Sequence, residues 1–205
     1  MKNTFIWDLD GTIIDSYEII VDNLAIVADQ CHLSYSQKEI YQYVKSKSVN
    51  AFIDLMANSS AYDKNQLKTM ASNLNNQRAD EIKCIPHAAY VLDYLYENNI
   101  QNFIYTHKGK STAHVLENLN LTYFFKEVIT SEYGFERKPH AQGIEYIIDK
   151  YKLNKDAVFY VGDRQIDADC SRNAGVKSII LTDDSDSSLS GDYMIRDLKE
   201  LVNFM

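Results

Sequence analysis

Two aspartates, Asp8 and Asp10, stand one residue apart at the end of an apolar run. The run from Thr4 to Leu9 is typical of a buried strand, and Gly11 indicates the turn that follows it. Two carboxylates this close repel each other unless a positive charge lies between them. Mg²⁺ suits this position because it takes oxygen ligands and tolerates anionic neighbours. The pair therefore predicts a divalent-cation site in which one carboxylate can attack and the other can transfer protons.

The elements that must position these residues alternate between strand and helix. Strands are predicted to end near Tyr105, Thr130 and Val161, and a helical pattern follows each of them. This rhythm predicts an α/β fold with a doubly wound parallel sheet, in which ligands bind beyond the carboxyl ends of the strands. The polar residues at or just after such ends are Asp8, Asp10, Thr106, Lys138, Asp163 and Asp167. We therefore expect these segments to converge on one edge of the sheet.

Residues 17–83 interrupt this alternation. The stretch 34–83 contains neither Gly nor Pro and shows helical patterns but no strong strand. We expect an inserted all-helical domain over residues 17–83, with the α/β domain formed by residues 1–16 and 84–205. Near the C-terminus, a last helix is predicted from Arg196 to Val202, and a Ser- and Asp-rich loop from Asp183 to Gly191.

The composition excludes several classes of protein. A net charge of −8 and a pI near 5.1 argue against a general nucleic-acid-binding face. No apolar run approaches membrane-spanning length, and acids interrupt the N-terminal run, unlike a signal peptide. Three widely spaced cysteines, Cys31, Cys84 and Cys170, predict reduced thiols in a cytoplasmic protein. Nothing indicates a coiled coil, so we expect a monomer or a weak homodimer.

Four motifs in chain order resemble those of the haloacid dehalogenase-like hydrolases. They are Asp8-Leu9-Asp10-Gly11-Thr12, a hydrophobic strand ending in Thr106, Lys138-Pro139, and Gly162-Asp163-Arg164-Gln165-Ile166-Asp167. More narrowly, the chain resembles the phosphoglycolate phosphatase-like branch, which has a Rossmann-like core and an inserted helical cap. The first motif alone is moderately specific, whereas all four in order are strongly specific. The resemblance covers essentially the whole chain and implies an Mg²⁺-dependent phosphatase acting on a small phosphorylated metabolite.

The resemblance implies roles for the acidic residues. Asp8 corresponds to the nucleophile that forms an aspartyl-phosphate, and Asp10 to the general acid and base. Asp8, Asp10 and Asp163 correspond to the Mg²⁺ site, and Asp167 to a residue that orients Asp163 or Lys138. The residues alone leave an alternative open, because Asp163 and Asp167 could simply be helix N-terminal acids that complement the helix dipole.

The resemblance also implies a phosphate-binding set formed by Thr106, His107 and Lys138. A hydroxyl, backbone N–H groups and an ammonium can together hold phosphate oxygens. For each residue a simpler interpretation exists: a strand-end cap for Thr106 and a solvated side chain for His107 and Lys138. Arg137 is a competing cation next to Lys138, and Lys108 is expected to be a surface charge.

The helical insertion is expected to close over the site and to select the leaving group. Its best candidates for contact with an anionic substrate are Lys45 and Lys47, in a break between helical patterns; a solvated basic turn is the alternative. This break lacks the glycines found in many phosphoglycolate phosphatases, which argues against phosphoglycolate itself as the substrate.

Two other functions fit parts of the pattern. Phosphosugar mutases share the acid pair but tend to have a less polar residue at the position of Thr12. Non-catalytic phospho-receiver domains also combine acids, Thr and Lys on a doubly wound sheet, but their phosphorylated aspartate normally follows a central strand rather than the first, and they lack a helical insertion.

Overall fold

The computed structural model describes residues 2–182 and 189–204, so most of the predicted loop from Asp183 to Gly191 lies outside the described residues. The chain divides into two compact units. One is formed by residues 1–15 and 83–205, and the other by residues 16–82. The first unit contains an α/β sheet, and the second is helical.

The larger unit is built on a six-stranded parallel sheet with the strand order β5-β4-β1-β6-β7-β8. A separate antiparallel pair, β2 with β3, lies at the sequence borders of the helical unit. The strands are β1 (Thr4–Trp7), β2 (Ile14–Asp15), β3 (Lys83–Cys84), β4 (Gln101–Tyr105), β5 (Glu127–Ile129), β6 (Val158–Gly162), β7 (Lys177–Leu181) and β8 (Tyr193–Ile195).

Helices stand between β1 and β4, β4 and β5, β5 and β6, and β6 and β7, as parallel pairing requires. The α-helices are α1 (Tyr17–Gln30), α2 (Gln37–Ser46), α3 (Val49–Asn58), α4 (Lys64–Gln77), α5 (Ala88–Glu97), α6 (Ser111–Asn118), α7 (Gln142–Tyr151) and α8 (Gln165–Ala174). The first four form the helical unit, and the other four belong to the larger unit. This architecture confirms the predicted α/β fold class with a doubly wound parallel sheet and a helical insertion.

Both faces of the central strand β1 are buried. Phe5, Ile6 and Trp7 are all fully buried, which is typical of a parallel strand covered on both faces. Ile6 packs in one core cluster with Phe103 of β4 and Tyr160 of β6. Burial of such side chains stabilises the sheet by roughly 2 kcal/mol each, so the strand end that carries Asp8 is held rigidly.

Each of the last three helices of the helical unit begins at a side-chain cap. Ser36 and Asp63 form capping boxes at the starts of α2 and α4, and Ser48 accepts a hydrogen bond from the N–H of Ala51 at the start of α3. Each cap contributes about 1 kcal/mol. The apolar faces of the four helices share a core of their own around Phe52 and Leu67.

Several predicted element bounds differ from the structure. The first strand ends at Trp7, so Asp8 lies beyond it, and the helix predicted from Arg196 to Val202 is a 3₁₀ helix, Leu198–Phe204. Strand β8 was not predicted, because its three residues are too short for a periodicity and two of them are exposed. Its parallel pairing with β7 in the folded structure identifies it as a strand.

The three cysteines are free thiols in the structure, as the prediction of reduced thiols requires. Among the described residues, no helix combines the length and the apolar character needed to cross a bilayer.

Candidate active site

The parallel register of three strands places the motif residues at one edge of the sheet. Trp7 pairs with Ile104 on one side and with Val161 on the other, so the residues that follow leave the sheet side by side. The N–H of Asp8 extends this pairing by donating to the carbonyl of Val161 at 2.8 Å, and the N–H of Thr106 donates to Ile129 at 2.9 Å.

Lys138 is the central cation of this edge. Its side chain is fully buried, and its Nζ lies 2.9 Å from Asp8 Oδ1 and 2.9 Å from Asp167 Oδ1. The rings of Tyr160 and Tyr105 also face the ammonium, at 5.0 and 5.4 Å from their centroids. Burial alone would lower the pKa of Lys138, but Asp167 and Asp8 outweigh burial and raise it. Lys138 is therefore a permanent positive charge.

The two carboxylates that share Lys138 differ in charge state. Burial raises the pKa of Asp8 to about 6, and Lys138 only partly opposes this effect. For Asp167 burial acts in the same direction, but Lys138 and Arg164 outweigh it and lower the pKa. The amide N–H of Arg164 also donates to Asp167 Oδ2 at 3.2 Å. Asp167 is thus the firmly ionised partner, whereas Asp8 is the carboxylate that takes up a proton as the pH falls through about 6.

Three buried carboxylates gather here, from Asp8, Asp163 and Asp167. Each offers one oxygen, and the three oxygens lie within 4.8 Å of one another. This donor set fits Mg²⁺, which prefers carboxylate oxygens, and the raised pKa of Asp8 indicates a place where one more cation is favourable. The hydroxyl of Thr12 donates to Asp163 Oδ1 at 3.5 Å, a long contact that links the first motif to the last.

Asp10 is not a member of this carboxylate group. Its Oδ1 lies 3.0 Å from Nζ of Lys108, and the side chains of the two residues are 22% and 9% exposed. The group that could hold a metal among the described residues therefore contains Asp167, predicted as an orienting residue, and not Asp10, predicted as a ligand. The carboxylate of Asp10 is instead partly exposed to solvent and paired with Lys108.

Thr106 is buried at the end of β4 with its side chain available as a donor. Its Oγ1 accepts a hydrogen bond from the N–H of Lys108 at 3.1 Å. A hydroxyl that accepts from the backbone in this way keeps its own proton for another acceptor. The arrangement suits an anionic oxygen next to the loop.

The imidazole of His107 contacts the segment that carries Lys138. Its Nε2 accepts the backbone N–H of Lys138 at 2.9 Å. Burial, followed by the charges of Lys138, Arg137 and Arg164, lowers the pKa of His107 to about 2. The imidazole is therefore neutral, and its ring acceptor holds the loop that carries Lys138.

Two cations of the site were missed by the sequence analysis. Lys108, expected to be a surface charge, is nearly buried against Asp10, so that expectation is wrong. Arg164 places Nη2 3.9 Å from Asp8 Oδ2, whereas Lys138 contacts the other oxygen, Oδ1. For both residues, the position in the sequence could have indicated a place in the site. Lys108 follows Thr106 by two residues, and Arg164 directly follows Asp163.

Comparison with known proteins assigns this fold and site to a family. The family model for haloacid dehalogenase-like hydrolases matches residues 5–181. The chain belongs to the haloacid dehalogenase-like hydrolases, which confirms the resemblance carried by the four motifs.

The relatives within this family are named as phosphatases. The chain is 24% identical to the pyrophosphatase PpaX of Oceanobacillus iheyensis, over 98% of this chain and 96% of that protein. It is also 24% identical to the phosphoglycolate phosphatase of Vibrio cholerae, over 86% of this chain and 82% of that protein. These relatives agree with the predicted enzyme class, a hydrolase of phosphate compounds.

Solved structures share the fold over the full length of the chain. A predicted phosphoglycolate phosphatase from Haemophilus somnus superposes with a TM-score of 0.86 at 16% identity, covering 98% of this chain and 97% of that one. A haloacid dehalogenase superfamily hydrolase from Geobacter sulfurreducens has a TM-score of 0.79 at 15% identity and covers 100% of both chains. At these identities the likeness concerns the fold alone.

Proposed function

We propose that this protein is a Mg²⁺-dependent phosphatase that hydrolyses a small phosphorylated metabolite through an aspartyl-phosphate on Asp8. The observation that carries the proposal is the buried Lys138, held 2.9 Å from both Asp8 and Asp167 in a group of three carboxylates. A buried cation shared by two acids is costly to desolvate, so its retention indicates a use for the charge. Stabilising a transferring phosphoryl group is such a use.

In the first step, a carboxylate oxygen of Asp8 attacks phosphorus. The bond from Asp8 to phosphorus forms, the bond from phosphorus to the leaving oxygen breaks, and Asp10 gives that oxygen a proton. In the second step, water attacks the same phosphorus while Asp10 takes a proton from it, and the carboxylate of Asp8 leaves. Phosphate and the free enzyme result, with atoms and protons balanced.

The other residues of the site hold the phosphoryl group during both steps. Lys138 and the hydroxyl of Thr106 supply positive charge and a hydrogen-bond donor for its oxygens. Mg²⁺, held by Asp8 and Asp163, would lower the repulsion between the nucleophile and the phosphate oxygens. Nζ of Lys108 donates a hydrogen bond to the carboxylate of Asp10 and holds it in place. The leaving oxygen of the substrate has to compete with Lys108 for that carboxylate.

The helical unit, residues 16–82, is proposed to act as the cap that selects the substrate. Of its candidate residues, Lys45 lies in the last turn of α2, inside the helix and not in the predicted break, and Lys47 lies directly after that helix. Lys45 lies over the ring of Tyr17, 4.6 Å from its centroid. Since the relatives are named for pyrophosphate and phosphoglycolate, both compounds belong in the first substrate screen, with phosphorylated sugars and nucleotides beside them.

The test is release of inorganic phosphate from a general aryl phosphate with and without Mg²⁺. Wild-type protein should release phosphate only with Mg²⁺, and Asp8→Asn should lose at least about 10³-fold in rate, since the nucleophile is gone. Asp149→Asn, the same change on an exposed position of α7, is the matched control and should behave as wild type. Equal rates for Asp8→Asn and wild type would refute the mechanism, and interconversion of sugar phosphates without net release would favour a mutase.

A further inference from the structure

A small cavity lies beside Thr106, beyond the ends of β4 and β5. Its volume is about 40 Å³, and its wall includes Thr106, His107, Thr130, Ser131 and Arg137. Three of these residues carry hydroxyl groups and one carries a guanidinium. The cavity therefore offers hydrogen-bond donors and a positive charge next to the hydroxyl that we assign to the phosphate.

Arg137 differs from the other cations of this edge in having no acidic partner. Lys138, Lys108 and Arg164 each lie near an aspartate. Within residues 2–182 and 189–204, the side chain of Arg137 forms no ion pair or hydrogen bond, although Glu136 also lines the cavity. An arginine that lines a cavity and forms no ion pair is available for an anionic ligand.

The charged group that acts most strongly on Arg137 is itself positive. Partial burial, followed by the positive charge of Arg164, lowers the pKa of the Arg137 guanidinium. The two guanidinium groups thus repel each other. A bound anion would relieve this repulsion, and the planar fork of each guanidinium matches a carboxylate or a phosphate.

We propose that Arg137, with Arg164 beside it, binds a second anionic group of the substrate next to the scissile phosphate. The substrate then belongs to the class of small phosphate compounds that carry a carboxylate or a second phosphate a few atoms from the reacting phosphorus. This inference rests on the proposed function, because it takes Thr106 as a contact of the scissile phosphate. It assigns to the α/β unit a part of substrate selection that the sequence analysis gave to Lys45 and Lys47 alone.

The experiment compares non-hydrolysable ligands that differ only in the second anion. Methylphosphonate has none, phosphonoacetate adds a carboxylate, and methylenebisphosphonate adds a second phosphonate. Dissociation constants are measured by calorimetry with Mg²⁺ in excess over ligand, for wild type, Arg137→Gln and Arg172→Gln. Arg172 is the matched control, because it is an exposed arginine whose partner is Asp169.

Wild type should bind at least one of the two-anion ligands about tenfold more tightly than methylphosphonate, and the better of the two identifies the second anion. Arg137→Gln should lose most of this preference, while Arg172→Gln keeps it. Both variants should melt near the wild-type temperature, since neither side chain forms a buried ion pair. A preference that survives Arg137→Gln, or a wild type without any preference, overturns the inference.

These measurements distinguish failure of the phosphatase proposal from failure of the second-anion proposal. If wild type shows the Arg137-dependent preference but releases no phosphate from any compound, the second-anion site stands and the phosphatase proposal falls. If phosphate is released but Arg137→Gln lowers kcat/KM equally for an aryl phosphate and for the two-anion substrates, the phosphatase stands and the second-anion site falls.

Discussion

At the residue scale, the charges of the site meet at Lys138, which is buried between Asp8 and Asp167. The three groups are desolvated together, so removing the cation leaves carboxylates in a place that cannot hydrate them. Lys138 therefore has two effects, one on the stability of the fold and one on the phosphoryl group that we propose it binds.

Replacing Lys138 by Met tests the first effect. We expect the free energy of unfolding to fall by about 3 kcal/mol, because two buried acids lose their cation. Urea denaturation at neutral pH measures this. Lys64→Met is the control, since Lys64 and its partner Asp54 are both exposed at the surface, and it should change stability far less. Adding Asp167→Asn to Lys138→Met should recover part of the loss; no recovery would show that packing, not charge, causes it.

His107 gives the site a pH-dependent stability. Its pKa is lowered to about 2 in the folded protein and is about 6.5 when unfolded. Between these values the unfolded chain binds a proton that the folded protein does not, so stability falls as the pH drops below about 6.5, by at most about 1.4 kcal/mol per pH unit.

The variant His107→Gln tests this dependence by urea denaturation between pH 5 and pH 7.5. Glutamine keeps an acceptor for the N–H of Lys138 but cannot be protonated, so the decrease in stability toward pH 5 should become smaller. His114→Gln, on the exposed side of α6, controls for the loss of a histidine. An unchanged slope in His107→Gln would contradict a neutral, buried imidazole.

At the element scale, the turn from β6 into α8 positions the last motif. Gly162 ends β6, and a Cβ at this position would lie 2.4 Å from Cβ and Cγ of Asp167. The first turn of α8 can approach the strand only because Gly162 has no side chain. This close approach brings Asp167 within reach of Lys138.

Gly162→Ala should therefore displace Asp167. We expect a loss of about 2 kcal/mol in unfolding free energy from overpacking, together with a strong decrease in Mg²⁺-dependent phosphate release. Gly175→Ala, at the end of the same helix, is the control: its φ of +71° makes alanine strained, but its Cβ would meet nothing closer than 4.0 Å. That variant should lose stability and keep its activity, whereas equal activity loss in both would point to general destabilisation.

At the scale of the whole molecule, a metal at the sheet edge would link folding to ligand binding. Only the folded chain brings Asp8, Asp163 and Asp167 within 4.8 Å, so Mg²⁺ should stabilise the folded state, by about 2.7 kcal/mol at a hundred times its Kd. Thermal unfolding with added Mg²⁺ or with a chelator measures the effect. Asp163→Asn should abolish most of it, while Asp149→Asn should not.

The same stabilisation should depend on pH in a defined direction. Because the pKa of Asp8 is raised to about 6, the carboxyl group keeps its proton below that pH, and Mg²⁺ must displace it. Affinity for Mg²⁺ should therefore fall by up to about tenfold per pH unit below pH 6 and level off above pH 7. A constant affinity between pH 5 and pH 7 would show that Asp8 is not a ligand.

The sequence by itself determined the family, the fold class and most of the residues at the sheet edge. It could do so because buried parallel strands have nearly continuous apolar runs, and because three of the motifs stand directly where those runs end. Asp8, Thr106 and Asp163 could be located in this way, since strand ends in a parallel sheet meet at one edge. Lys138 lies well beyond the end of β5 and was located by the order of the motifs.

Only the tertiary structure decided how the charges pair. In the sequence, nothing distinguishes the charges of Lys108 and Arg164 from those of surface residues. Their contacts with Asp10 and Asp8 join segments that are far apart in the sequence. Likewise, the placement of Asp167 rather than Asp10 in the carboxylate group depends on side-chain directions that no local pattern encodes. Strand periodicity fixes where a residue leaves the sheet, whereas electrostatic partners are chosen by packing between those segments.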